Sequence, residues 1–197
     1  HHPDRLMLGT PPGQHTGNRA TTERILMKKY LIIATLLLAA CSSAPKQPAH
    51  RTAANHNADY STLIMQAENQ ASGRVKAVLA QARIMTLLRG EIIKGGCWDY
   101  LDAAWTRAGV PRNQRKVVFA GNRNGHFASP DQLRAGDWIY HINHSYRGIE
   151  HSGMFIGWVD KERRLGLTLS YAGERRHEPA RYKVYDLSSV YQITRAE

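Results

Sequence analysis

The chain has little cysteine, few acidic residues, no long apolar run and no internal repeat, and each shortage narrows what it can be. Two cysteines in 197 residues, Cys41 and Cys97, cannot build a disulfide framework, so each is read from its own surroundings. Acidic residues number 16 against 27 lysines and arginines, a formal net charge of +11. Such a chain is drawn to anionic membranes or polymers. Its basic residues are scattered rather than set in a stripe with stacking aromatics, which argues against nucleic acid as a partner. No stretch reaches the roughly 20 apolar residues of a transmembrane helix. The longest apolar run lies between Leu31 and Ala40. The absence of a repeat excludes a solenoid.

What is present begins with a processing signal. Met27-Lys28-Lys29-Tyr30 leads into Leu31-Ile32-Ile33-Ala34-Thr35-Leu36-Leu37-Leu38-Ala39-Ala40-Cys41. A basic start, a short apolar core and small residues before a cleavage point predict a secretory signal peptide over 27–40. Leu38-Ala39-Ala40-Cys41 resembles a bacterial lipobox. The resemblance implies that Cys41 is diacylated and becomes the mature N-terminus. Ser42 behind it resembles the outer-membrane sorting pattern of Gram-negative bacteria, which implies a lipid-anchored protein of the cell envelope facing the periplasm. Residues 1–26 precede a complete signal peptide and read as a non-native or over-called upstream segment. Residues 41–58 hold almost nothing large and apolar and read as a flexible tether. A domain over 59–197 remains, long enough for one core. With Cys41 lipidated, Cys97 is a lone thiol in an oxidising compartment, a liability unless it is buried or used.

Within that domain the apolar pattern changes period once. A short helix is expected from Tyr60 to about Gln70. Val75, Val78, Leu79, Ala82, Met85 and Leu88 recur at helical spacing, with Gly90 loosening the end. A third helix opens at Cys97 and closes at Gly109, with Pro111 just beyond. After a polar stretch containing Gly121 and Gly125, strands are expected at Trp138–Ile142, His151–Trp158, Leu165–Tyr171, Arg181–Leu187 and Val190–Thr194. Helices first and about five antiparallel strands afterwards make an α+β layout.

The chemistry centres on Cys97, which follows Gly95-Gly96 at the start of its helix. A thiol there meets the positive end of the helix dipole, which favours the thiolate. A histidine on a neighbouring strand, His151, can serve as its base. The alternative is a buried, merely packing cysteine. His141 and His144, together with His151, raise the question of zinc. His-x-x-His on a strand and loop does not turn both rings to one side, so no metal is expected, and no cofactor is implied. His126, set among glycine and asparagine, reads as a loop histidine. The loop from Asn143 to Glu150 is expected to rim a cleft that Trp98 helps to shape, the other tryptophans forming core.

In this order the segments resemble the NlpC/P60 family of papain-like cysteine peptidases and amidases. The matching pieces are the cysteine-headed helix Cys97–Gly109, Leu133-Arg134-Ala135-Gly136-Asp137-Trp138, the strand His151-Ser152-Gly153-Met154-Phe155-Ile156-Gly157, and Val190–Arg195 ending in arginine. The resemblance implies a papain-like fold with Cys97 as nucleophile and His151 as base. It also implies cleavage of a peptide or amide bond, with peptidoglycan stem or cross-link peptides as substrate. Two positions depart from the family pattern. The family has Asp-Cys-Ser where this chain has Gly96-Cys97-Trp98. Its third catalytic residue is His, Asn or Gln, whereas Ser170 stands nearest in register here, with Glu174 and His177 in the following loop as alternatives. The departures leave two rivals: the same chemistry on another amide or ester, including acyl transfer, and a non-catalytic scaffold on the same fold.

Overall fold

From Tyr60 onward apolar residues return every three or four positions, and a computed structural model, which describes residues 60–197, contains the helices this spacing sets up. The segments expected to be signal peptide, tether and upstream sequence, with Cys41, fall outside the described residues. Helix α1 spans Ser61–Gln70 and α2 Gly73–Arg83. The apolar stripe of α2 runs on, but its last turn widens to a π-helical one over Ile84–Leu88. There the Arg89 N–H reaches back five residues to Ile84 O. Helix α3, Cys97–Arg107, ends as its glycine predicts, with Gly109 at φ 84°. Tyr100, Leu101, Ala104 and Trp105 form its buried stripe. Each fully buried tryptophan removes roughly 150–250 Å² from water, about 4–6 kcal/mol of gross burial.

Six strands follow: β1 Lys116–Ala120, β2 Trp138–Asn143, β3 Ile149–Asp160, β4 Leu165–Ser170, β5 Arg181–Asp186 and β6 Val190–Arg195. They form one antiparallel sheet in the order β1-β6-β2-β3-β4-β5. The fold is therefore α+β as expected, but with six strands rather than about five. The extra one, β1, is an edge strand that pairs only with β6 and buries none of its five residues fully, so its sequence shows no core-facing alternation.

Alternation sorts the strand residues to two cores. Trp138, Met154, Ile156, Leu167, Leu169 and Tyr182 pack with the helices. Ile139, Phe155, Tyr185 and Ile193 pack with Ala128 and Leu133 of the long β1–β2 connection. One buried ion pair ties that connection to the end of the chain. Arg195 reaches both oxygens of Asp137 at 2.8 Å and also donates to Gln132 O, while the Arg134 N–H donates to Asp137 Oδ2. Asp137 is 1 % exposed. The Leu133–Trp138 segment and the terminal arginine, singled out separately in the sequence, thus meet in one interaction.

Between β3 and β4 the backbones come close at Gly153. A Cβ there would lie 2.5 Å from Thr168 Cγ2 and 2.8 Å from Leu169 O, so this position, two residues past His151, needs glycine for space rather than for φ. No helix among the described residues is long and apolar enough to cross a membrane.

Candidate active site

Cys97 is the first residue of α3, and the turn before it depends on Gly95. Gly95 sits at φ 103°, and a Cβ on it would run into the Asp99 carboxylate. That carboxylate accepts a hydrogen bond from the Gly96 N–H at 2.8 Å, closing the helix start and fixing the direction in which Cys97 leaves it. Two links tie this turn to the end of β4. The Glu174 N–H donates to Gly95 O at 2.9 Å. The Tyr171 hydroxyl donates to Ile93 O at 2.7 Å and accepts from the Ile93 N–H at 3.1 Å.

Because β3 and β4 are antiparallel, the beginning of one lies beside the end of the other. His151 and Ser170 therefore meet, with His151 Nε2 2.8 Å from Ser170 Oγ. Ser170 is held from behind by the Tyr185 hydroxyl, also at 2.8 Å. With Nε2 engaged, Nδ1 is the ring nitrogen left for the sulfur, and His151 is the first of the groups that pull the Cys97 pKa down. Cys97, His151 and Ser170, chosen from sequence, are thus brought together. Glu174 and His177 are not: Glu174 serves the Cys97 turn through its backbone, and His177 occupies a left-handed bend after it.

The electrostatics favour an anionic sulfur. Burial pushes the Cys97 thiol up, but the neighbouring His151, helped by Ser152, outweighs it. The pKa comes down from 9.0 to about 7. Half of Cys97 is then thiolate near neutral pH, and the fraction grows as pH rises through about 7. Alkylation of Cys97 by iodoacetamide, followed on its own peptide by mass spectrometry, is expected to rise to a plateau with a midpoint near 7. A midpoint at the free-cysteine value of about 8.5 would show that His151 does not stabilise the thiolate.

Sequence reasoning missed Tyr185 and the part played by His141. Tyr185 reaches Ser170 from the next strand over, a link that no local spacing encodes. His141 lies opposite His151 in register, fully buried, with the rings 5.6 Å apart and near perpendicular. Burial, then the nearby His151, pushes its pKa down to about 4, so it backs the site as a neutral ring. His144 bonds Ser189 instead, and no group of three or more His, Cys, Asp or Glu is placed to hold a metal ion among the described residues.

Cys97 and His151 lie where two cavities meet. One, of about 440 Å³, extends past Ser170 and Tyr185 and is rimmed by Asn143, Ser145 and Tyr146, so the 143–150 loop borders it as expected. The other, of about 360 Å³, is walled by Trp98, Tyr140 and Tyr191. Trp98 is held at its wall by the Tyr140 hydroxyl, 3.0 Å from its indole nitrogen, and by the Arg112 guanidinium 4.8 Å over its ring. It therefore shapes the second cavity and leaves both open at the sulfur. No protein-family model matches the chain, and no curated protein or solved structure matches it either.

Proposed function

We propose that the protein is a cysteine hydrolase of the bacterial cell envelope, with an NlpC/P60-like, papain-type active site that cleaves a peptide or amide bond. The observation that carries this reading is a partly exposed thiol with a pKa near 7 at a helix start, paired with a histidine whose far nitrogen is held by Ser170. Such a triad of nucleophile, base and orienting group is the requirement for acyl transfer through a thioester.

In the mechanism, the Cys97 sulfur attacks the carbonyl carbon. A C–S bond forms while the carbonyl π electrons move to oxygen, where N–H groups at the start of α3 offset the charge. His151, having taken the thiol proton at Nδ1, gives it to the leaving nitrogen as the C–N bond breaks. Water then attacks the thioester with His151 as base, releasing the acid and restoring the thiol. For Nδ1 to accept a proton, the neutral ring must carry its hydrogen on Nε2, and Ser170 Oγ is the acceptor that selects this tautomer. Tyr185 fixes the serine, so a short side chain performs an orienting role otherwise given to a longer one.

Peptidoglycan stem or cross-link peptides are the proposed substrate. The support is the family resemblance of the segments carrying Cys97, Asp137 and His151, together with the resemblance of Leu38-Ala39-Ala40-Cys41 to a lipobox, which implies an envelope protein anchored at Cys41. Incubation of purified peptidoglycan with the full chain is expected to release peptide fragments whose masses identify the bond. No release while Cys97 still alkylates with a midpoint near pH 7 would redirect the proposal to another amide or ester. No release and an inert Cys97 would leave the scaffold reading.

A further inference from the structure

The two cavities flanking Cys97 differ in charge, and one of them lacks a counter-ion. Arg181 and Lys183 are two apart on β5, so both project from the same side of the strand as Tyr185, and all three line the larger cavity. Arg176, from the turn after β4, lines it as well. Among the described residues none of these three cations is paired with a carboxylate, whereas ten other contacts across the domain do pair acids with bases. The one acid on the cavity wall, Glu150, is already engaged by the Tyr191 hydroxyl at 3.0 Å and by Arg123 at 3.4 Å.

Like charges at this spacing repel, and their persistence without a partner costs stability unless something else is bound there. Lys183 shows the strain: burial, then the neighbouring Arg181, pushes its pKa down. Its ammonium lies 5.1 Å over the ring of Tyr185, the tyrosine that holds Ser170, so the charge sits on the cavity wall one side chain away from that serine. The smaller cavity is walled instead by Trp98, Tyr140 and Tyr191.

We infer that the larger cavity is a subsite for an anionic group, a carboxylate carried by the substrate on one side of the scissile bond, recognised by Arg181 and Lys183 with Arg176 at the rim. The inference rests on Cys97 being a nucleophile and names the substrate class of that same site: amides bearing a free acid close to the bond that is cut.

Two small thiol reagents of the same shape and opposite character test it without a known substrate. Iodoacetate carries a carboxylate and iodoacetamide does not; each transfers its carbon to the Cys97 sulfur with loss of iodide. The measured quantity is the ratio of their second-order rate constants at Cys97 in the full chain, resolved by peptide mass spectrometry so that Cys41 does not contribute. The ratio is expected to exceed that of free cysteine at the same pH. It should fall about threefold to tenfold in Arg181→Gln/Lys183→Met and shrink similarly in high salt. Using a ratio cancels any general loss of thiol reactivity, and thermal unfolding of the variant confirms that it is folded. A reactive Cys97 whose ratio is unmoved by the double substitution overturns the anion subsite and leaves the hydrolase proposal standing. A Cys97 inert to both reagents overturns the nucleophile and the subsite with it.

Discussion

Replacing Cys97 with alanine is expected to lower the release of peptide fragments by at least about 10⁴-fold, with no change in fold. The size follows from the chemistry: without the sulfur no thioester forms, and only binding and the N–H groups of α3 remain to assist water. Ala at the first position of a helix is well tolerated, so the variant should melt with the parent. Ser170→Ala is the informative companion. It removes the acceptor at His151 Nε2 and leaves the Tyr185 hydroxyl without its partner, while the nucleophile and base stay in place. A fall of about 10- to 100-fold, expressed in kcat rather than KM, is the expected result, with Ser170→Asn recovering part of it. Equal activity of Ser170→Ala and the parent would remove the serine from the machinery. Residual turnover by Cys97→Ala close to the parent's would end the cysteine mechanism altogether.

The second large effect concerns stability. Asp137→Ala is expected to cost about 3–5 kcal/mol, because it leaves the guanidinium of Arg195, whose side chain is 10 % exposed, buried without its charge partner. At this chain length that corresponds to a fall of roughly 6–20 °C in Tm. Urea unfolding of the parent, the two single variants and a double variant settles how much belongs to the pair itself. Asp137→Leu combined with Arg195→Met should be less damaging than either charge left alone, since removing both avoids an orphaned ion. A single-variant loss below about 1 kcal/mol would mean that water reaches the pair and screens it.

What the sequence disclosed and what it hid divide along a physical line. Helix α3 was legible because a glycine pair, a cysteine and a terminal glycine punctuate an amphipathic stretch, and β2 to β6 because turns and apolar runs bound them. Ser170 was legible as the polar residue at the end of the strand that follows the His151 strand, where an antiparallel turn brings it near the histidine. Strand β1 was not, because an edge strand half open to solvent needs no apolar face. The π-helical turn at Ile84–Leu88 is indistinguishable from plain helix in sequence, since widening one turn leaves the spacing of Met85 and Leu88 almost unaltered. Tyr185 was hidden for a different reason. A long side chain that reaches across from the neighbouring strand acts at a distance the local pattern does not record.

The twin hydrogen bonds of Tyr171 with Ile93, and the one from Glu174 to Gly95, give the 172–180 segment an unusual standing. A surface connection between two strands is ordinarily where a chain tolerates extra residues most cheaply. Here the same connection is sewn to the backbone just ahead of the nucleophile. Its length is consequently a calibrated dimension of the catalytic centre: residues added there would be felt first as a misplaced sulfur and only afterwards as a longer loop.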